Sequence, residues 1–206
     1  MMQVTQAALG KVGRPLFVML ALLLGACAGL PQRPALAPEM ALQDTGDTAL
    51  ARGMAPKLAA HPGQSAFYPL LSGTDALAMR IALVRTAQRS LDIQYYIFDA
   101  DNTGLTLLAE IMAAADRGVR VRVLLDDIHL AGQDGALSAV DAHPNVEVRV
   151  FNPFASRDVR LFEYVTDFRR INRRMHNKSL TADNQLTIVG GRNIGDQYYG
   201  AAATDF

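Results

Sequence analysis

Residues 176–193 read HNKSLTADNQLTIVGGRN, and this stretch carries the strongest structural signal in the chain. Two short apolar segments flank the Asp-Asn pair at 183–184, which favours a tight turn, so the stretch predicts a β-hairpin. If the first segment forms a strand over 175–181, His176 and Lys178 point to the same face because side chains alternate along a strand. The sequence therefore predicts an imidazole and an ammonium group side by side.

The polar groups of this stretch suit the binding of a phosphoryl group. An imidazole serves as nucleophile or general acid/base near neutral pH, and a neighbouring lysine binds a phosphate oxygen and offsets developing charge. Gly190 and Gly191 would let the backbone approach a ligand closely, and the amide of Asn193 can donate a hydrogen bond. No carboxylate cluster accompanies these residues in the sequence, so we expect chemistry without a metal or another cofactor.

The spacing of the motif identifies a family resemblance. It reads His-x-Lys, four residues, Asp, six residues and Gly-Gly-x-Asn. This pattern resembles the HKD signature of the phospholipase D superfamily and its trailing Gly-Ser-x-Asn element. The matching positions are His176, Lys178, Asp183, Gly190 and Asn193, with Gly191 at the usual serine position. Segments such as RSLDIQYYIFDADNTG, ADRGVRVRVLLDD and FRRINRRMHNKS extend the resemblance over about 61–206, to the bacterial branch that includes cardiolipin synthases.

The resemblance implies a two-step phosphatidyl transfer or phosphodiester hydrolysis on phospholipids. In that family a histidine attacks phosphorus to form a phosphohistidine, a second histidine protonates the leaving alcohol, and an incoming alcohol or water releases the phosphatidyl group. By this resemblance His176 and Lys178 are catalytic, and Asp183 is a motif residue that supports the architecture. Lys178, Asn193, Gly190 and Gly191 would bind the phosphate.

The family's second histidine comes from a second HKD motif, whereas this chain shows one. We therefore expect an N-terminal portion of a longer two-motif enzyme, supplying one half-site and inactive alone, or a chain that pairs with a second copy. The acidic residue that orients the nucleophile in related proteins follows the asparagine, which leaves Asp205 or a residue beyond Phe206.

The pattern from Phe67 onward alternates helix and strand. Helices are expected from Thr74, from Thr103 to the glycine at Gly118, and over 134–142, and the expected strands are 91–98, 119–126 and 146–151. Strand, helix, strand in that order implies parallel pairing with right-handed crossovers. We therefore predict a phospholipase D-type α/β sandwich over 67–206, with a mixed sheet, helices on both faces and an incomplete C-terminus.

The N-terminus has the pattern of a targeting signal. Basic residues precede an apolar run at 16–24, and small residues lead to the chain's one cysteine, Cys27. The string Leu-Gly-Ala-Cys resembles the bacterial lipobox, so a lipidated cysteine over 1–27 is favoured, with a plain signal peptide or an uncleaved anchor as alternatives. Residues 28–66 are rich in proline and alanine and predict a linker with a short helix near 47–59. The sequence therefore predicts a cell-envelope protein associated with a membrane.

Charge is balanced over the whole chain but not locally. The 206 residues carry a formal net charge of zero, which argues against a protein that coats nucleic acid. Residues 157–178 hold seven basic residues against three acidic ones. This run is interpreted either as a solvated helix face or as a surface that attracts anionic lipid headgroups or a nucleic-acid backbone.

Several other polar and aromatic residues have simpler interpretations. Asp126 and Asp127 end a strand, where aspartate commonly caps a turn, and Tyr95 and Tyr96 are expected to pack within the sheet. The three remaining histidines are expected at the surface, namely His61, His129 and His143.

Two alternative functions stay open at this point. One is a single-motif nuclease of the phospholipase D type in which two copies each supply a histidine. The other is a non-catalytic envelope lipoprotein that keeps the fold as a binding surface. The preferred partners are a phospholipid with an anionic headgroup and a membrane, and nucleic acid is disfavoured.

Overall fold

A computed structural model describes residues 38–157 and 159–201. It contains six α-helices, two single 3-10 turns and five strands within those residues. The helices are α1 (Ala49–Ala60), α2 (Gly73–Thr86), α3 (Asn102–Asp116), α4 (Asp134–Asp141), α5 (Arg160–Thr166) and α6 (Phe168–Ile171). The strands are β1 (Ser90–Tyr95), β2 (Arg120–Asp126), β3 (Val146–Phe151), β4 (Lys178–Ala182) and β5 (Leu186–Val189), and the turns are Asp127–His129 and Asp196–Tyr198.

The five strands form one mixed sheet in the order β3-β2-β1-β4-β5. Strands β1, β2 and β3 are parallel, as the alternation of strands and helices predicted. Strand β4 lies antiparallel between β1 and β5, which confirms the hairpin. Asp183 and Asn184 have positive φ near 50°, as required of the central residues of a type I′ turn, and the Gln185 N–H closes this turn on the Ala182 carbonyl. The predicted α/β class with a mixed sheet is therefore confirmed.

One face of the sheet carries the hydrophobic core. Leu91, Ile93 and Tyr95 of β1 alternate toward it, and the register places their partners on β2 and β4 on the same face. Helices α2 and α3 bury their apolar residues there, and α4 adds partly buried residues. Arg80 of α2 enters this core and donates from Nε to the Tyr95 hydroxyl at 2.9 Å, so its guanidinium remains hydrogen-bonded.

The opposite face is polar. A shallow depression at its centre is lined by strand residues and Glu39, and none of its lining residues belongs to a described helix. Asp92 and Arg122 form an ion pair there across β1 and β2. The prediction of helices on both faces is therefore confirmed for the core face only, within the residues that the structure describes.

Part of the predicted linker is integrated into the folded unit. The helix expected near 47–59 is present as α1, capped by the Thr48 side chain. Thr45 and Thr48 are buried, and Leu50 packs against the core. The Gln185 side chain donates to the Thr45 hydroxyl at 2.9 Å, so the segment is tied to the β4–β5 turn. The linker interpretation is thus wrong for this stretch, because Thr45 and Thr48 are buried and Leu50 packs against the core.

Two sequence predictions fall outside the described residues. These are the signal segment with its lipobox-like Cys27, and Asp205 as a partner of the histidine. Within residues 38–157 and 159–201, no helix combines the length and the apolar character needed to cross a bilayer.

A buried carboxylate joins β1 to the β4–β5 hairpin. The Asp183 side chain is fully buried and accepts hydrogen bonds from the backbone N–H groups of Gln88, Arg89 and Ser90 at 2.7 to 3.0 Å. Its own N–H donates to the Ser90 carbonyl at 2.8 Å. Asp183 therefore holds three consecutive donors at the point where β1 begins.

We predict that Asp183→Asn lowers the free energy of unfolding by about 2–3 kcal/mol. The amide keeps the residue's tolerance of positive φ, but its uncharged oxygen accepts more weakly than a carboxylate oxygen, and an NH₂ group in place of Oδ2 sets a donor against the partly buried Gln88 N–H. Urea denaturation measures the effect, with Asp44→Asn as the control because Asp44 is exposed. Equal stability of the two variants would contradict the structural role of this carboxylate.

Candidate functional site

His176 and Lys178 lie together at the start of β4. The strand begins at Lys178, so His176 lies two residues before it rather than within a strand that begins at 175. The Lys178 ammonium lies 3.2 Å from His176 Nδ1 and donates to the His176 carbonyl at 3.1 Å. The predicted pairing of imidazole and ammonium is therefore present, and the exposed imidazole can be reached from solvent.

The lysine is the buried member of this pair. Lys178 is 7% exposed, because it pairs with Tyr95 at the end of β1 and faces the core side of the sheet. Desolvation by burial lowers the pKa of its ammonium below the ordinary value, since the charged form loses hydration. A bound phosphate oxygen would compensate this loss, so the position is well suited to an anionic ligand.

Tyr96 connects the site to a second histidine. Its ring lies 4.6 Å from the His176 ring, and Lys178 Nζ lies 5.3 Å from the Tyr96 centroid. The His129 ring also packs edge-on against Tyr96, with 5.7 Å between the two ring centroids. The expectation that Tyr95 and Tyr96 both pack within the sheet is correct for buried Tyr95 only. Tyr96 follows β1, which ends at Tyr95, so strand alternation gave no signal for the position of its ring.

A buried aspartate positions the backbone that carries the histidine. Asp126 ends β2 and is fully buried. Its carboxylate accepts from the N–H of Met175 at 2.7 Å and from the Arg174 guanidinium at 3.0 Å. These two residues directly precede His176. Asp126 also caps the following turn, as predicted, because it accepts from the Ile128 N–H at 2.9 Å. Its contacts with Arg174 and Met175 were not predicted from the sequence.

Most of the basic run is neutralised inside the protein. Buried Asp127 pairs with Arg157 and with Arg160, and it also accepts from the Phe154 N–H at 2.7 Å. Arg170 pairs with Glu163, and Arg174 pairs with Asp126. These four arginines build the edge of the site instead of forming a charged surface. Neither interpretation of the run holds for these four arginines. Arg169 and Arg173 are exposed, so both interpretations stay open for these two residues.

Asn193 and the two glycines occupy the segment after β5. The Asn193 side chain is buried, accepts from the Ile97 N–H at 3.2 Å and donates to the Tyr198 hydroxyl at 3.0 Å. It therefore fastens this segment to the chain that follows β1. Gly190 and Gly191 are exposed, and a Cβ on either would meet no heavy atom within 4 Å. Their backbone is accessible to a ligand, although no crowding within the described residues requires glycine there.

Asp183 lies at the far end of β4 from the histidine and lysine. Five residue steps separate it from Lys178, or roughly 16 Å along a strand. The structure thus brings His176 and Lys178 together but leaves Asp183 outside the reacting group. Among the described residues, His, Cys, Asp and Glu side chains do not form a cluster of three or more suited to a metal.

Comparisons with known proteins identify relatives over most of the chain. Residues 81–202 match the family described as "Cardiolipin synthase, PLD-like domain". Cardiolipin synthase C of Escherichia coli is 52% identical over 152 residues, which is 74% of this chain and 32% of that protein. An uncharacterized protein of Helicobacter pylori is 39% identical over 175 residues, covering 84% of this chain and 35% of that protein.

Solved structures give a more distant similarity. NucT from Helicobacter pylori aligns with a TM-score of 0.48 and 20% identity, covering 65% of this chain and 76% of that one. The chain spans about a third of the length of the two curated relatives described above.

We predict that the Lys178 ammonium titrates below 10.5, and that inorganic phosphate shifts its pKa upward. Burial destabilises the charged form in the free protein, and a bound anion stabilises it. NMR titration of lysine side-chain nitrogens measures both values, with Lys178→Arg used to assign the signal. A value at or above 10.5 without phosphate, or no upward shift with it, would argue against an anion site at this ammonium.

Proposed function

Because the chain belongs to the family of cardiolipin synthase PLD-like domains, we propose that it supplies one half-site of an enzyme that transfers or hydrolyses phosphatidyl groups. The observation that carries this proposal is the exposed His176 imidazole beside the buried Lys178 ammonium, at the edge of the sheet where β1 and β2 end. The 52% identity to cardiolipin synthase C supports a phospholipid as the substrate class.

In the first step, His176 Nε2 attacks the phosphorus of a phosphodiester. An N–P bond forms, the P–O bond to the leaving alcohol breaks, and the alcohol oxygen takes a proton from a general acid. Lys178 binds a non-bridging oxygen and stabilises the negative charge that develops in the transition state. Nε2 is the nitrogen available for attack, since Lys178 lies against Nδ1.

This step requires the imidazole proton to reside on Nδ1, so that Nε2 keeps its lone pair. The charged Lys178 ammonium cannot accept from Nδ1–H, and the two groups must therefore separate as the substrate binds. A phosphate oxygen gives the ammonium a stronger partner than Nδ1, which leaves Nδ1 free for an acidic acceptor. Asp205 or a residue from elsewhere in the complete protein would serve as that acceptor.

In the second step an alcohol or a water molecule attacks phosphorus on the phosphohistidine. The incoming oxygen gives its proton to the group that acted as general acid in the first step, a new P–O bond forms, and the N–P bond to His176 breaks. An incoming alcohol gives phosphatidyl transfer, and water gives phosphatidic acid. The reaction is balanced without a metal or a redox partner.

The general acid of the first step is proposed to be a histidine from a second motif. The chain covers about a third of its relatives' length, which leaves room in proteins of that size for a second such domain. A second copy of the chain would provide the same group. Membrane association through the N-terminal segment and lipidation of Cys27 belong to the same proposal, because they would hold the site near its substrate.

We predict that His176→Ala in the full-length protein abolishes turnover of phosphatidylglycerol, whereas His61→Ala retains it. His61 is exposed in the turn after α1, so its removal is a matched histidine control. Chromatography of labelled lipid separates cardiolipin from phosphatidic acid, and mass spectrometry detects acid-labile phosphatidyl on His176. Retained turnover in His176→Ala would refute the nucleophile, and cleavage of DNA without lipid turnover would favour the nuclease alternative.

We predict that Tyr96→Leu lowers kcat by roughly tenfold with a smaller change in KM, because the ring contacts His176 and Lys178 and restrains the attacking imidazole. Tyr96→Phe should restore most of the rate, since the contacts involve the ring rather than the hydroxyl. Tyr68→Leu is the control, because Tyr68 is exposed and lies before α2. A rate loss that Phe does not restore would show that the hydroxyl, not the ring, matters.

A further inference from the structure

Helix α5 presents its apolar side outward. Leu161 is 77% exposed and Val165 is 84% exposed, and Phe168 follows at 55% at the start of α6. The polar residue Glu163 faces inward instead, is 6% exposed, and accepts from the Ser156 N–H and from Arg170. A helix facing water carries polar residues on its outer side, so this arrangement is the reverse of the ordinary one.

The reversal has a cause in the contacts beneath the helix. Arg160 and Arg170, on either side of Glu163, turn inward to reach Asp127 and Glu163. With the charged groups engaged beneath the helix, the exposed positions of α5 are apolar or aromatic apart from Thr166 at its last residue. These buried ion pairs hold the helix in this orientation, because rotating it would bury the apolar side chains at the cost of separating desolvated charges.

The exposed apolar surface lies at the same edge of the sheet as the histidine. Asn152, which follows β3, donates to the carbonyls of Arg170 and Arg173 at 2.7 Å. Arg174 then reaches Asp126 at the end of β2, and His176 follows two residues later. The segment between α5 and the histidine is therefore anchored to the carboxyl ends of β2 and β3.

We propose that the α5 surface, formed by Leu161, Phe162, Val165 and Phe168, inserts into the interface of a bilayer that contains anionic lipid. Exposed Arg169 and Arg173 border it and would contact lipid phosphates. In this arrangement the aromatic and aliphatic side chains would enter the acyl layer of the bilayer, and the arginines would lie at the level of its anionic headgroups. The inference rests on the proposed function in one respect: a lipid's phosphate can reach His176 only if the protein holds its edge against the membrane.

An exposed apolar surface also fits other occupants, namely a second copy of the chain or the remainder of a longer protein. The charge near this surface favours the bilayer. Arg169 and Arg173 are exposed cations, whereas the exposed carboxylate of Asp167 is paired with Arg170, and the substrate proposed for the adjacent site is anionic. The two protein occupants are therefore treated as outcomes of the test.

The test uses the full-length protein with Cys27→Ser, so that no acyl chain at that residue contributes to binding. We expect the double variant Leu161→Glu with Val165→Glu to lower partition into phosphatidylglycerol-containing vesicles by tenfold or more. Leu58→Glu, at an exposed apolar position on α1, should leave partition unchanged. Arg169→Gln and Arg173→Gln should each weaken partition by about fivefold, and only when the vesicles are anionic.

A second measurement separates the bilayer from a protein occupant. A fluorophore attached through Val165→Cys should be quenched by aqueous iodide before vesicles are added, and protected from iodide but quenched by lipid-borne nitroxides afterwards. Protection from iodide before any vesicle is present would show that a second copy or another part of the protein covers the surface. That result, or unchanged partition in the double variant, would overturn the proposal.

Turnover of a water-soluble phosphodiester distinguishes this failure from failure of the proposed function. The double variant should retain it, because neither residue contacts His176 or Lys178. If the wild-type protein does not turn over that substrate or phosphatidylglycerol, the proposed function fails while the vesicle result still stands. If the double variant loses soluble turnover together with vesicle binding, the surface supports the fold and the proposal is overturned.

Discussion

The Asp183 carboxylate fixes the register on which the site depends. It accepts from three consecutive N–H groups at the start of β1, and its own N–H donates to the Ser90 carbonyl. This pairing places Ala182 opposite Leu91 and, four residues further along, Lys178 opposite Tyr95. A slip of one residue would turn every β4 side chain to the other face and move Lys178 away from the core side. A motif aspartate can therefore be indispensable to the site while its side chain remains distant from the reacting atoms.

Asp126 provides the corresponding restraint at the opposite end of the sheet. It holds the N–H of Met175, so the residue before His176 is fixed to the end of β2. Asp127 and Glu163 hold the neighbouring arginines in the same way, with most of each carboxylate withdrawn from water. Breaking one of these pairs would leave an uncompensated buried charge. Because that is costly, the pairs keep this edge of the sheet rigid. Rigidity suits the site, because an exposed imidazole has to keep its direction without being packed on all sides.

The same ion pairs link the two halves of the functional proposal. They take up cations that the sequence alone would assign to the surface, and they turn the apolar side of α5 outward. Lys178 remains as a partly desolvated cation at the centre, and its lowered pKa marks a position where a bound anion would be stabilised. In the proposed function, one edge of the sheet would present an attacking group, an anion-binding group and a bordering apolar surface.

The sequence by itself determined the local elements and indicated the residues of the candidate site. Strand alternation, the Asp183-Asn184 turn and the positive-φ Gly118 follow from backbone sterics between neighbours, and the motif spacing indicated His176 and Lys178. Only the tertiary structure decided which distant residues meet. Tyr96 and His129 join His176, Asp126 anchors Met175, and the arginines turn inward. These contacts depend on the order of strands in the sheet and on the insertion of β4 beside β1. A local pattern cannot specify that order, because residues eighty positions apart are brought together by the packing of the whole sheet.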